Sequence, residues 1–159
     1  MLTPNPEFVN ELIEVVDASP YPLHMSMRLT DIRFDRATIE LETERRHLQA
    51  YGIVHGGVFA TLIDTATFWA VFMRIPEDAG LVNIDLKLNY LKPVVEGRLK
   101  AEGRAVRSGK TISYAEARIW SASNDLIAHG ASTLMILPER GIKLKNRKFI
   151  NSENIVEKY

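Results

Sequence analysis

The chain is expected to fold as an α+β protein, an antiparallel sheet wrapped over one long apolar helix. Three observations predict this. From Val58 to Met73 (VFATLIDTATFWAVFM) the only polar side chains are three threonines and Asp64, too apolar for a surface helix. Segments on both sides of that stretch alternate apolar and polar residues, the two-residue period of strands. The links among the last four strands are short, which favours antiparallel pairing.

The elements follow in order. Phe8, Leu12, Ile13, Val15 and Val16 have helical spacing, so a helix is expected over 6–18, with acids in its early turns and Pro20 and Pro22 ending it. Strands are expected at 28–34 and 37–43, the second with Ala37, Ile39 and Leu41 on one face. After the apolar helix, LVNIDLKLNYLKP places Val82, Ile84, Leu86, Leu88 and Tyr90 on one face and Asn83, Asp85, Lys87 and Asn89 on the other. Ser108-Gly109 reads as the turn of a hairpin joining strands 98–107 and 110–122, and a last strand spans 126–137 before Pro138.

The 159 residues suggest one domain over 1–138, followed by a basic tail over 139–159 that includes Arg140, Lys143, Lys145, Arg147 and Lys148. That tail reads as solvated or partly disordered, with phosphate binding the rival reading. With 20 basic and 20 acidic residues the formal charge is zero, which argues against a nucleic-acid or anionic-membrane partner. Absence of cysteine removes disulfides, thiolate ligands and thiol nucleophiles together. The N-terminus lacks the pattern of a signal peptide, and the apolar helix is short of a membrane span. A soluble cytoplasmic protein is expected.

Asp64 poses the chemical question. An unpaired buried carboxylate costs several kcal/mol, so it must be compensated structurally or be functional. Gly56 and Gly57 make sense at the helix start, where backbone N–H groups lack partners within the helix and a missing Cβ allows close approach. With the helix dipole, that arrangement suits an acyl carbonyl oxygen. Gly57 and Asp64 are seven residues apart, on one face but separated by ~10 Å along the axis. One carbonyl cannot reach both on the same helix. If both serve one reaction, two antiparallel helices about a two-fold axis must supply them.

Tyr51-Gly52-Ile53-Val54-His55-Gly56-Gly57, followed by Asp64 in LIDTA, resembles the signature of the hotdog-fold acyl-CoA thioesterases, nearest the phenylacetyl-CoA branch. The resemblance implies a sheet around a central helix, an acyl-CoA substrate, no cofactor, and a homodimer that pairs into a homotetramer. It implies Asp64 as general base or nucleophile, the amide of Gly57 or its neighbour as holder of the thioester oxygen, and His55 as a residue that shapes the loop. Gln49 falls where this branch usually has asparagine; glutamine there is familiar from the hydroxybenzoyl-CoA branch. Asn83 lies where relatives often carry serine or threonine near the attacking water, although it also reads as an exposed strand residue. Phe68 is core or acyl-pocket lining. Arg107, Ser108, Gly109 and Lys110 resemble a hairpin that meets coenzyme A phosphates, or form a solvated basic turn.

Other chemistries have little support. GKT at 109–111 lacks the preceding glycine of a P-loop, since Arg104 stands there. His24, His47, His55 and His129 show no metal-binding spacing, and no GxSxG occurs. An acyl-CoA-binding module without hydrolysis is the alternative function.

Overall fold

The computed structural model describes residues 2–151. Helix α1 (Pro6–Asp17) starts where expected, with Asn5 as N-cap accepting from the Glu7 N–H at 3.1 Å and Pro6 in the first turn, where a missing N–H is harmless. Phe8, Leu12 and Val16 form its buried stripe. The two prolines do not simply end it: Pro20 opens a second short helix, α2 (Pro20–Met25), which has no buried residue. Ser26 closes α2 in the left-handed conformation, at φ 51°.

Helix α3 (Gly56–Phe72) is buried on most of its circumference, as its composition requires. Seven antiparallel strands wrap it: β2 (Met27–Arg33), β3 (Arg36–Glu42), β4 (Gly80–Asn83), β5 (Lys87–Tyr90), β6 (Arg98–Ser108), β7 (Ile112–Ser121) and β8 (Leu126–Leu137). The order is β2-β3-β6-β7-β8-β4, and β5 also pairs with β8. Helix and sheet approach closely at Gly103 of β6, where a Cβ would stand 2.0 Å from the Ala66 carbonyl oxygen. We expect Gly103→Ala to push α3 off β6 and cost ~1–3 kcal/mol, read as a lower melting temperature.

Two local expectations are corrected. The run after α3 is not one strand. It breaks between β4 and β5, where the Asp85 carboxylate accepts the Thr133 N–H at 2.8 Å in place of a backbone carbonyl. The break shifts the alternation by one residue. Leu81 is buried and Asn83 faces the helix before it, whereas Leu86 and Leu88 pack on the core after it. Val82 and Ile84, expected to share the inner face with Leu86 and Leu88, are instead 38% and 53% exposed. In the β6–β7 hairpin, Ser108 pairs with Ser113 and the Gly109 N–H donates to Ile112 at 3.0 Å, so Lys110 and Thr111 form the tip instead of Ser108-Gly109.

The reading of a solvated tail from Glu139 onward holds for the exposed side chains of Arg140, Lys143, Lys145 and Arg147 but not for Lys148 or for the backbone, which is ordered against the domain; 152–159 lie outside the described residues. Strand β9 (Phe149–Asn151) pairs with β1 (Leu2–Pro4). The Glu11 carboxylate accepts the backbone N–H groups of Lys145 and Asn146, at 2.8 and 3.1 Å. Lys148 is buried, its ammonium donating to the carbonyls of Phe72 and Ile75 at the C-terminal end of α3. A lysine stem is apolar enough to cross packed structure, and helix-end carbonyls are natural partners for its charge.

Candidate active site

The N-terminus of α3 is held by its own sequence. His55 is the N-cap, and its Nδ1 accepts the Gly57 N–H at 2.8 Å. A ring that accepts at Nδ1 carries its proton on Nε2, so His55 is a brace for the helix start in this arrangement. The Gly57 amide, the first choice for holding a carbonyl oxygen, is thereby engaged inside the chain. Gly56, one residue earlier, is the first helical position and has no carbonyl within the helix to donate to. A Cβ at Gly56 would meet the Tyr90 ring and hydroxyl at 3.0–3.1 Å, so a side chain there would press on that phenol and displace it.

Gln49 and Gly56 come together. Both line a cavity of about 340 Å³, with Phe59, Tyr90, Leu91 and Pro93 among its walls. The loop that carries Gln49 is closed by the Gln49 N–H to Ile53 at 2.9 Å and turns at Gly52, whose φ of 75° favours glycine. His47 secures that loop from below. It is 2% exposed, with Nδ1 accepting the Glu44 N–H at 2.8 Å and Nε2 against the Met25 carbonyl at 3.1 Å. Burial lowers its pKa, which keeps the ring neutral.

Asp64 lies on the part of α3 that the sheet leaves uncovered, a half-exposed stripe that includes Ala60, Thr61 and Phe68. Asn83 reaches it from β4, donating from Nδ2 to Asp64 Oδ1 at 2.9 Å. Asn83 is thus a partner of the carboxylate and not an ordinary exposed strand residue. Burial pushes the Asp64 carboxyl above its usual range, and the Asn83 hydrogen bond opposes that rise. Ser132, which the sequence reading passed over, touches the same Asn83 nitrogen at 2.9 Å. The one-residue shift at Asp85 separates the inward face of Asn83 from that of Leu86 and Leu88, and Asp85, a turn-forming residue inside the alternating run, is the signal in the sequence that could have marked it.

Phe68 joins an aromatic cluster, its ring 4.9 Å from that of Trp69 and 6.5 Å from that of Phe72. Arg107, Gly109 and Lys110 border a separate hollow of about 510 Å³ at the hairpin tip. Arg107 and Ser108 also border a hollow with Arg74, just past the end of α3, so the hairpin and Gly56 belong to opposite ends of the helix. A further hollow of about 520 Å³ includes Lys87, Arg118 and His129 and none of the candidate site residues. Among the described residues, no helix is long and apolar enough to cross a membrane.

The sequence pattern of the Thioesterase superfamily matches residues 51–128, the span that holds the glycine pair, Asp64 and Asn83. Over that span the chain is similar to the Thioesterase superfamily. Its hotdog architecture is the central α3 wrapped by the antiparallel sheet. A candidate esterase of Caenorhabditis elegans is 29% identical over 119 residues, 73% of this chain and 70% of that protein. Human acyl-coenzyme A thioesterase 13 is 29% identical over 96 residues, 59% of this chain and 68% of that one. In fold, this hotdog chain superposes on a thioesterase from Haemophilus influenzae with a TM-score of 0.78 at 21% identity, covering 92% of this chain and 100% of the other.

Proposed function

We propose that this hotdog protein is an acyl-CoA thioesterase, hydrolysing an aryl- or fatty acyl-CoA to the free acid and coenzyme A at a site shared between two copies of the chain. The observation that carries this reading is the Asp64 carboxylate, half-buried on the uncovered stripe of α3 and oriented by Asn83. As general base, Asp64 takes a proton from the attacking water and passes it to the coenzyme A sulfur as the C–S bond breaks. As nucleophile, it forms an acyl–Asp64 anhydride as that bond breaks, and water then hydrolyses the anhydride, its proton balancing the one the thiolate takes up. The thioester oxygen is held by the amide of Gly56, the neighbour of Gly57, because the Gly57 N–H already caps the helix through His55.

Gly56 and Asp64 are eight residues apart, ~12 Å along the axis, so the amide and the carboxylate of one reaction come from different copies. An edge strand, β4, with Val82 exposed and Ile84 exposed just after it, supports pairing of the copies along that edge. Antiparallel helices would also bring the Arg107–Lys110 hairpin, at the C-terminal end of α3, towards the partner's helix start, where nucleotide phosphates could meet Arg107, Lys110 and the backbone of Ser108 and Gly109. Phe68 and the walls of the Gln49 cavity would receive the acyl group.

The test is free-thiol release from a panel that includes phenylacetyl-, hydroxybenzoyl-, medium-chain and long-chain acyl-CoA, followed by complementation. Gly56→Val and Asp64→Asn should each be inactive alone. Refolded together at equal amounts, half the dimers are mixed and each has one intact site, so about a quarter of wild-type activity should return. Saturable acyl-CoA binding without hydrolysis would instead mark a sensor module. Lack of complementation would place the whole site within one copy.

A further inference from the structure

Asn83 has an amide that, viewed alone, could present either its oxygen or its nitrogen to Asp64. The surrounding hydrogen bonds decide which. The Ser132 hydroxyl donates to the Asp85 carbonyl oxygen at 2.7 Å, which leaves its Oγ only lone pairs for Asn83. Asn83 therefore turns its NH2 towards Ser132, at 2.9 Å. The second hydrogen of the same nitrogen points to Asp64 Oδ1, also at 2.9 Å. Two longer contacts fall on the same nitrogen, the Asp64 carbonyl oxygen at 3.3 Å and the Thr67 hydroxyl oxygen at 3.5 Å, and the Thr67 hydrogen itself is engaged with the carbonyls of Ile63 and Asp64, both at 2.9 Å. Ser132 and Thr67 are fully buried, so water does not scramble this arrangement.

We propose that Ser132 is a positioning residue which, through Asn83, holds Asp64 as a hydrogen-bond acceptor at Oδ1 and leaves Oδ2 as the atom that meets water or the thioester. The chain runs from the Asp85 carbonyl through the Ser132 hydroxyl and the Asn83 amide to the carboxylate, and its direction is set at the end remote from the chemistry. It rests on the proposed role of Asp64 and adds the group that controls that residue's protonation. Without the Ser132 oxygen, the Asn83 nitrogen loses one of its two short partners and keeps only Asp64 and the longer contact to Thr67, so its hold on the ionised carboxylate weakens.

Among the described residues, burial and Asn83 are the only influences that move the Asp64 carboxyl. Asp64 is the only ionisable residue in α3, and β4 contains none. On the strands packed against α3, Glu102 and Arg104 of β6, Glu116 and Arg118 of β7 and His129 of β8 occupy positions that alternate with the buried ones, while Lys87 of β5 is exposed. The Asp85 carboxylate is held by the Thr133 N–H. Burial and the Asn83 amide are the two influences on the Asp64 carboxyl, and they act in opposite directions.

The experiment is the pH dependence of kcat/KM for wild type, Ser132→Ala and Ser132→Thr, using whichever acyl-CoA of the panel wild type hydrolyses fastest. Carbonyl-¹³C aspartate spectra in parallel titrate Asp64 itself, assigned by its loss in Asp64→Asn. Ser132→Ala should move the acid limb and the Asp64 titration upward together by about half a pH unit or more, a ~3-fold loss of ionised enzyme on the acid side. The rates should converge on wild type at higher pH, and Ser132→Thr should restore the wild-type profile. If Ser132→Ala does not fold, Ser132→Cys, whose thiol is a weak hydrogen-bonding group, takes its place. An unmoved acid limb and titration in the folded variant would overturn the proposal while leaving Asp64 in place. Full hydrolysis by Asp64→Asn would instead remove the reading on which it rests.

Discussion

Asp64→Asn should lose about 10²–10⁴-fold in kcat/KM and yet unfold at a higher temperature than wild type at neutral pH. The two effects have one cause. Burial raises the carboxyl above its ordinary value of 3.8, so the folded state holds the proton more tightly than the unfolded chain does. The corresponding stability is present below the unfolded value and is lost as pH rises through the folded one. At neutral pH the wild-type protein therefore tolerates an ionised carboxylate that its surroundings disfavour. Asparagine can still accept from Asn83 through its own oxygen but carries no charge to desolvate. Thermal melts of both proteins at neutral pH and near pH 3 check the point: the variant's advantage should shrink as wild-type Asp64 becomes protonated. Wild-type-like turnover would exclude Asp64 from the chemistry, and a lower melting temperature at neutral pH would show that its ionised form is better compensated than its burial implies.

The second large effect lies at the far end of the same helix. Lys148 is 1% exposed, its ammonium 4.2 Å from the centre of the Phe72 ring and 2.9 Å from the Ile75 carbonyl oxygen, with the Phe72 carbonyl as a further acceptor. Lys148→Met keeps most of the apolar stem but removes the donor from two carbonyls. Each orphaned group costs ~1–3 kcal/mol, so a loss of ~2–4 kcal/mol in unfolding free energy is expected. Burial also pushes the Lys148 amine down to about 8 from 10.5, so between those values the unfolded chain binds more protons than the folded one. Wild-type stability relative to Lys148→Met should therefore rise as pH climbs from about 8 towards 10.5, visible in urea unfolding at a series of alkaline pH values. A difference that stays flat across that window would mean that the helix-end carbonyls hold the ammonium charged throughout.

Much of the architecture was legible because its signals are local. The apolar run 58–73 could only be a core helix, and β8 occupies the residues that its pattern and Pro138 marked out. The helix cap was legible in part. The glycine pair pointed to the start of α3, but a choice between Gly56 and Gly57 required the His55 ring to be placed, and that ring engages Gly57. The hairpin between β6 and β7 was expected, and its tip moved only because pairing continues through Ser108.

The sequence by itself determined the α+β class, the buried helix with one carboxylate, the glycines at its start and a separation along the axis that, on the proposed mechanism, calls for two copies. Those follow from periodicity, capping and rise per residue, which depend on neighbours in the chain. Tertiary structure alone decided what surrounds the carboxylate and what closes the helix. Asn83 faces Asp64 while Leu86 and Leu88 also pack inward, because a shift at Asp85 reverses the alternation between them, and Ser132 orients Asn83 from 49 residues away. Lys148 caps α3 from 76 residues beyond Phe72. A hydrogen bond across such distances leaves no periodic trace in the chain, because it forms only once packing has brought its two ends together.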